Sequence, residues 1–174
     1  MSRNPAERVR GPVIRAPGYA PTMADKTSST MTIDMPGPVI MGVIADFAAY
    51  PQWASGVRAA EVVASGADGR AELVRFTLDA GVIKDSYVLR YQWQGDEQVH
   101  WDLAEKGSMI TQMTGAYLLD AAGAGTKVTY ELSVGLAMPM IGMLKRRAEK
   151  TIIDTALKGL RSRAEKVGEQ GGDA

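Results

Sequence analysis

The 174-residue chain has no cysteine, a single histidine (His100) and few aromatic residues, 6% of the sequence. Without cysteine there is no disulfide, no thiolate nucleophile, no thiolate zinc site and no cysteine-ligated iron–sulfur cluster. One imidazole cannot build a multi-histidine metal centre within a single chain. A basic excess is missing too: 20 Lys and Arg stand against 20 Asp and Glu, so no nucleic-acid partner held by bulk charge is expected. Long apolar runs are absent. No stretch approaches the ~18 apolar residues of a membrane span, and the first residues lack the run of about 7–15 apolar residues of a secretory signal. A cytoplasmic protein with no metal and no cofactor is expected.

What is present is ordinary for a folded chain: 45% hydrophobic and 23% charged residues, and a length that fits one domain. Residues 1–25 carry Pro5, Pro12, Pro17 and Pro21 among Arg3, Arg8, Arg10 and Arg15. Prolines block helix and ladder bonds, and this composition buries little apolar area, so a disordered tail is expected. Met23 offers a second possible start. The folded domain is expected over 26–167, with a disordered tail over 168–174.

Thr27 to Asp34 alternates Met31 and Ile33 with Thr30 and Thr32, the pattern of a half-buried strand. After Pro36-Gly37-Pro38, the apolar stretch Val39 to Phe47 reads as a short helix, which Pro51 ends or kinks at Tyr50. Six strands follow: Val57–Ser65, Arg70–Asp79, Val82–Trp93, Gln98–Glu105, Ser108–Asp120 and Thr126–Leu136. Their faces separate by the period of two. Tyr87, Leu89, Tyr91 and Trp93 share one face, as do Val128, Tyr130, Leu132, Val134 and Leu136. Short glycine turns between them imply an antiparallel meander, seven strands in all with the first.

The period changes at Met138-Pro139. Ile141, Leu144 and Ala148, then Ile152, Ala156 and Leu160, recur at helical spacing, predicting a helix over 139–167 that Gly168 stops. An apolar sheet face and an apolar helix stripe can be buried only against each other. The fold class is therefore α+β, a helix-grip arrangement: a curved seven-stranded antiparallel sheet wrapped round a long C-terminal helix, with two short helices after the first strand and a space opening between sheet and long helix. Charge is unevenly spread, −6 over residues 27–144 and +5 over 145–166.

This order of elements, with Phe47-Ala48-Ala49-Tyr50-Pro51-Gln52-Trp53 after the first helix, resembles the SRPBCC or START-like helix-grip superfamily. Gly115-Ala116-Tyr117 and Gly125-Thr126-Lys127-Val128-Thr129-Tyr130 are similar as well. The likeness runs from about Thr27 to Glu165 and is greatest to small single-domain polyketide cyclase/dehydrase-like proteins. Lipid carriers and coenzyme Q-binding proteins also belong to the superfamily. The resemblance implies a cavity for a hydrophobic small molecule such as a lipid, quinone or polyketide. The residues expected to line it are Trp53, Phe76, Leu78, Tyr87, Leu89, Tyr91, Trp101, Met109, Met113, Tyr117, Tyr130 and Leu132 from the sheet side, with Ile141, Leu144 and Ala148 from the helix.

Three functions are open. In the leading one the protein binds or carries that ligand, with apolar walls and a few polar tips. In the second it is a cyclase or dehydratase, for which Asp85 is the candidate acid–base group: counting back from Tyr87 places it inward, and burial would raise its pKa. An exposed rim position is the alternative for that carboxylate. His100 shares the outward face with Asp102, which suits a surface histidine rather than a catalytic base. In the third, the basic C-terminal helix contacts an anionic membrane surface or an acidic carrier protein.

Overall fold

The computed structural model describes residues 26–172. The proposed tail over 1–25 lies outside the described residues. Strand β1 (Thr27–Ile33) leads into helix α1 (Gly37–Ala45), a 3-10 turn (Phe47–Ala49) and the one-turn helix α2 (Tyr50–Trp53). The meander follows as β2 (Val57–Ser65), β3 (Ala71–Ala80), β4 (Ile83–Gln94), β5 (Gln98–Glu105), β6 (Ile110–Ala122) and β7 (Gly125–Leu136). Helix α3 (Gly142–Gly171) is the last described element.

The seven strands form one antiparallel sheet in the order β1-β7-β6-β5-β4-β3-β2. Only β1 is out of sequence order. Short turns place each meander strand beside the one before it, and β1 fills the free edge of β7, from Thr27 opposite Leu132 to Ile33 opposite Thr126. The seven-stranded curved sheet, the long C-terminal helix and the two short helices after β1 are as the sequence reading has them.

Three local details differ. Pro51 does not push Tyr50 out of the helical region; Tyr50 sits at φ −52°, ψ −40°, and Pro51 occupies the first turn of α2, where its missing N–H is unneeded. Helix α3 starts at Gly142 rather than 139 and runs past Gly168 to Gly171. Gly168 is no stop: a Cβ there would strike the Met35 side chain, so the glycine serves close helix packing, and residues 168–171 are helical rather than a tail.

The third difference is the buried stripe of α3. It consists of Glu149, Ile153, Leu157, Leu160 and Ala164. Ile141, Leu144, Ala148 and Ile152 are exposed instead. The stripe keeps helical spacing, but a carboxylate occupies its first position. Glu149 is buried between α3 and the edge of the sheet. It accepts hydrogen bonds from the Thr27 hydroxyl (2.6 Å) and the Val134 backbone N–H (2.8 Å), with Lys145 3.4 Å away. Pairing of β7 with β1 ends at Leu132, and Glu149 takes up the amide two residues further on. Replacing it should therefore leave a buried donor unmatched. Glu149→Ala is expected to cost about 2 kcal/mol in urea unfolding, and Glu149→Gln roughly half as much because its amide oxygen still accepts.

Candidate functional site

All ten aromatic side chains of the described residues lie in one cluster. The period of two puts Phe76, Tyr87, Tyr91, Trp93, Trp101, Tyr117 and Tyr130 on the inner face of successive strands. Phe47, Tyr50 and Trp53 come down on them from the 3-10 turn and α2. Phe47 stands edge-on to Tyr91 at 4.9 Å between ring centroids, and Tyr117 lies 4.4 Å from Tyr130. Gly115 is opposite Trp101 in the ladder, and its missing side chain leaves the space that the indole fills.

The tyrosine tips are the polar part of this face. Tyr50 donates its hydroxyl to the Ile44 carbonyl at 2.6 Å. The hydroxyls of Tyr87, Tyr91, Tyr117 and Tyr130 make no hydrogen bond to any described residue. Burial raises the pKa of each of the four phenols above its ordinary value. Neighbouring phenols add to this at Tyr91, Tyr117 and Tyr130. All four are neutral hydroxyls near neutrality, each able to donate and to accept. Among the described residues the indole N–H of Trp53 is the one buried side-chain polar atom with no partner.

Asp85 is buried, as the inward count predicts, but its chemistry is the reverse of the expectation. Desolvation pushes its pKa up. Hydrogen bonds from the backbone N–H groups of Ile110, Ser108 and Met109 and from the Ser108 hydroxyl outweigh that and bring it down to about 2. The bonds are 2.7–3.1 Å long, and the Ser86 N–H adds another at 3.0 Å. A carboxylate that accepts so many donors is stabilised as the anion. Asp85 is a clasp that ties β4 to the β5–β6 loop, and a group ionised down to about pH 2 is not a general acid near neutrality.

The remaining expected residues divide. Phe76, Tyr87, Leu89, Tyr91, Trp101, Tyr117, Tyr130 and Leu132 are buried together, with Trp53, Leu78 and Met113 packed at their margin. Met109 is half-buried in the loop held by Asp85. Ile141, Leu144 and Ala148 are not brought to this face; they lie in the exposed start of α3 and the segment before it. His100 is on the outer face, 3.3 Å from the Gln98 side chain. Phe47 and Tyr50 belong to the cluster and were missed, although the Phe47–Trp53 segment carried the family likeness. Two surface grooves lie elsewhere. One of about 750 Å³ runs past Pro36–Pro38, Asp96 and Leu118–Ala121, and one of about 430 Å³ lies along Pro51–Arg58. Of the expected cavity residues only Trp53 borders either.

With this geometry, the chain resembles solved structures over most of its length. A START superfamily protein from Mycobacterium smegmatis superposes with a TM-score of 0.76 at 20% identity, covering 82% of this chain and 99% of that one. A protein from Thermus thermophilus gives 0.68 at 19% identity over 82% and 98% of the two chains. The Zhui aromatase/cyclase from a Streptomyces species gives 0.67 at 14% identity over 81% and 93%. These likenesses concern the fold. No curated protein matches the sequence. The sequence model of the polyketide cyclase/dehydrase and lipid transport family matches residues 24–165, and the chain belongs to that family.

Proposed function

We propose that the protein binds a hydrophobic small molecule, a lipid, quinone or polyketide, on the aromatic face between the curved sheet and α3. Family and fold suggest hydrophobic ligand binding in general terms. The observation that carries the reading is the set of four tyrosine hydroxyls on one sheet face that make no hydrogen bond to a described residue. Four hydroxyls that bond to no described residue, on an otherwise apolar face, offer a ligand a few polar tips for orientation while apolar contact supplies affinity.

Binding is favoured over cyclase or dehydratase turnover by the state of the ionisable groups. Asp85 is committed to its clasp, Glu149 to Thr27 and Val134, and His100 faces outward. The tyrosines are neutral donors and acceptors, suited to holding a carbonyl.

Native mass spectrometry of the protein purified from its own host tests the reading. A co-purified apolar molecule is expected; a clean apo mass together with no binding in a lipid, quinone and polyketide screen would reject it. Tyr117→Phe and Tyr130→Phe sharpen the test. Removing a hydroxyl that bonds to no described residue should change stability by less than about 0.5 kcal/mol, yet weaken ligand binding roughly three- to tenfold where the hydroxyl bonds to it.

A further inference from the structure

The first two turns of α3 and the segment before them are built unlike the rest of the molecule. Met138, Ile141, Met143 and Leu144 are 65, 79, 82 and 55% exposed, a run of large apolar side chains in solvent. Arg146 and Arg147 follow directly and form no ion pair among the described residues. No acidic residue lies between Met138 and Ala148. The two acids next along α3 are engaged, Glu149 by Thr27 and Val134 and Asp154 by Ser29 and Lys150. The same end of the sheet carries the β3–β4 turn, with Val82 92% exposed. It also carries the β5–β6 loop, whose Met109 carbonyl accepts from Ala137 N–H at 2.8 Å.

We propose that this end of the molecule docks on an anionic lipid bilayer, the apolar side chains entering the interface and Arg146 and Arg147 meeting lipid phosphates. Each half of the patch demands something of the partner. Exposed methionine, isoleucine and leucine seek an apolar medium. The cations just behind them seek negative charge at the depth of the headgroups. A bilayer supplies both in that order and needs no matching shape. A second copy of the chain would bring cation against cation, and an acidic carrier protein would answer the charges while leaving the apolar tip in water. The surface is separate from the aromatic face and goes beyond the binding function proposed above.

Co-flotation of the full chain with vesicles tests this. Binding to vesicles of phosphatidylcholine with one quarter phosphatidylglycerol is expected at low salt. It should be roughly tenfold or more weaker on pure phosphatidylcholine, for Arg146→Glu/Arg147→Glu, and at about 0.5 M salt. Met138→Ser/Met143→Ser should weaken it to a similar degree at low salt. Absence of binding to the anionic vesicles at low salt overturns the proposal. So does binding that survives the serine variant, which would mark a purely ionic contact of the kind an acidic protein makes. Retention of a hydrophobic ligand in vesicle-free solution should be equal for the wild type and both variants. A wild type that binds vesicles but no ligand would remove the ligand-binding function and leave the docking surface standing.

Discussion

Asp85→Ala is expected to lower the stability of the fold by about 3–5 kcal/mol, read as a fall in the urea midpoint. The size follows from the number of groups left behind. Four backbone N–H groups and one hydroxyl lose their acceptor at once, and the β5–β6 loop loses its attachment to β4. Asp85→Asn keeps the shape but removes the charge that makes these bonds strong, so it should fall between the wild type and alanine. The pH dependence separates this role from catalysis. The folded pKa of about 2 lies below the ordinary value of 3.8. The anion therefore stabilises the fold fully above about pH 4, and that contribution, about 2 kcal/mol, is lost as the pH falls through about 2. Urea unfolding across that range should show the acid loss in the wild type and a flatter acid limb in Asp85→Asn. An unchanged midpoint in both variants would contradict the clasp.

Gly115→Ala should destabilise the protein by about 2–3 kcal/mol, an overpacking cost. The alanine Cβ would fall within van der Waals distance of Cζ2, Cε2 and Nε1 of the Trp101 indole. Trp101 cannot swing away cheaply, because Tyr91, Tyr117 and Tyr130 hold it at centroid distances of 5.5–5.8 Å. A smaller ring should relieve the clash. The double variant Gly115→Ala/Trp101→Phe is therefore expected to be more stable than the sum of the single losses by at least about 1 kcal/mol. Strict additivity would show that the indole and the glycine do not share that space.

Most of the fold was legible because alternation in the strands is strict. Val128, Tyr130, Leu132 and Val134 read correctly as one face, and each hairpin turn was marked by glycine, such as Gly95 at φ 54° and Gly123 at φ 60°. The tyrosines and Trp101 were placed on the inner face by the same parity. The start of α3 was not legible. Apolar spacing pointed to Ile141, Leu144 and Ala148, whereas the buried stripe passes through Glu149. A hydrophobic pattern cannot reveal a glutamate whose partners, Thr27 and Val134, come from two other elements, one of them 122 residues away in the chain. Asp85 was misjudged for a related reason. Its inward parity was visible, but the sign of its pKa shift depends on donors more than twenty residues away in the β5–β6 loop.

The placement of β1 bears on how the molecule is made. Thr30 and its neighbour Thr129 are 99 residues apart in the chain, and among the described residues β1 has no other strand beside it. During synthesis β1 leaves the ribosome first and waits for β7, while β2 to β6 pair each with the strand just made. Long-range pairing of this kind is slow, and an unpaired strand is an aggregation hazard while it waits. Thr27, Ser28, Ser29, Thr30 and Thr32 give β1 five hydroxyl residues out of seven. That composition, poor in apolar residues, suits a strand that stays unpaired until β7 is made.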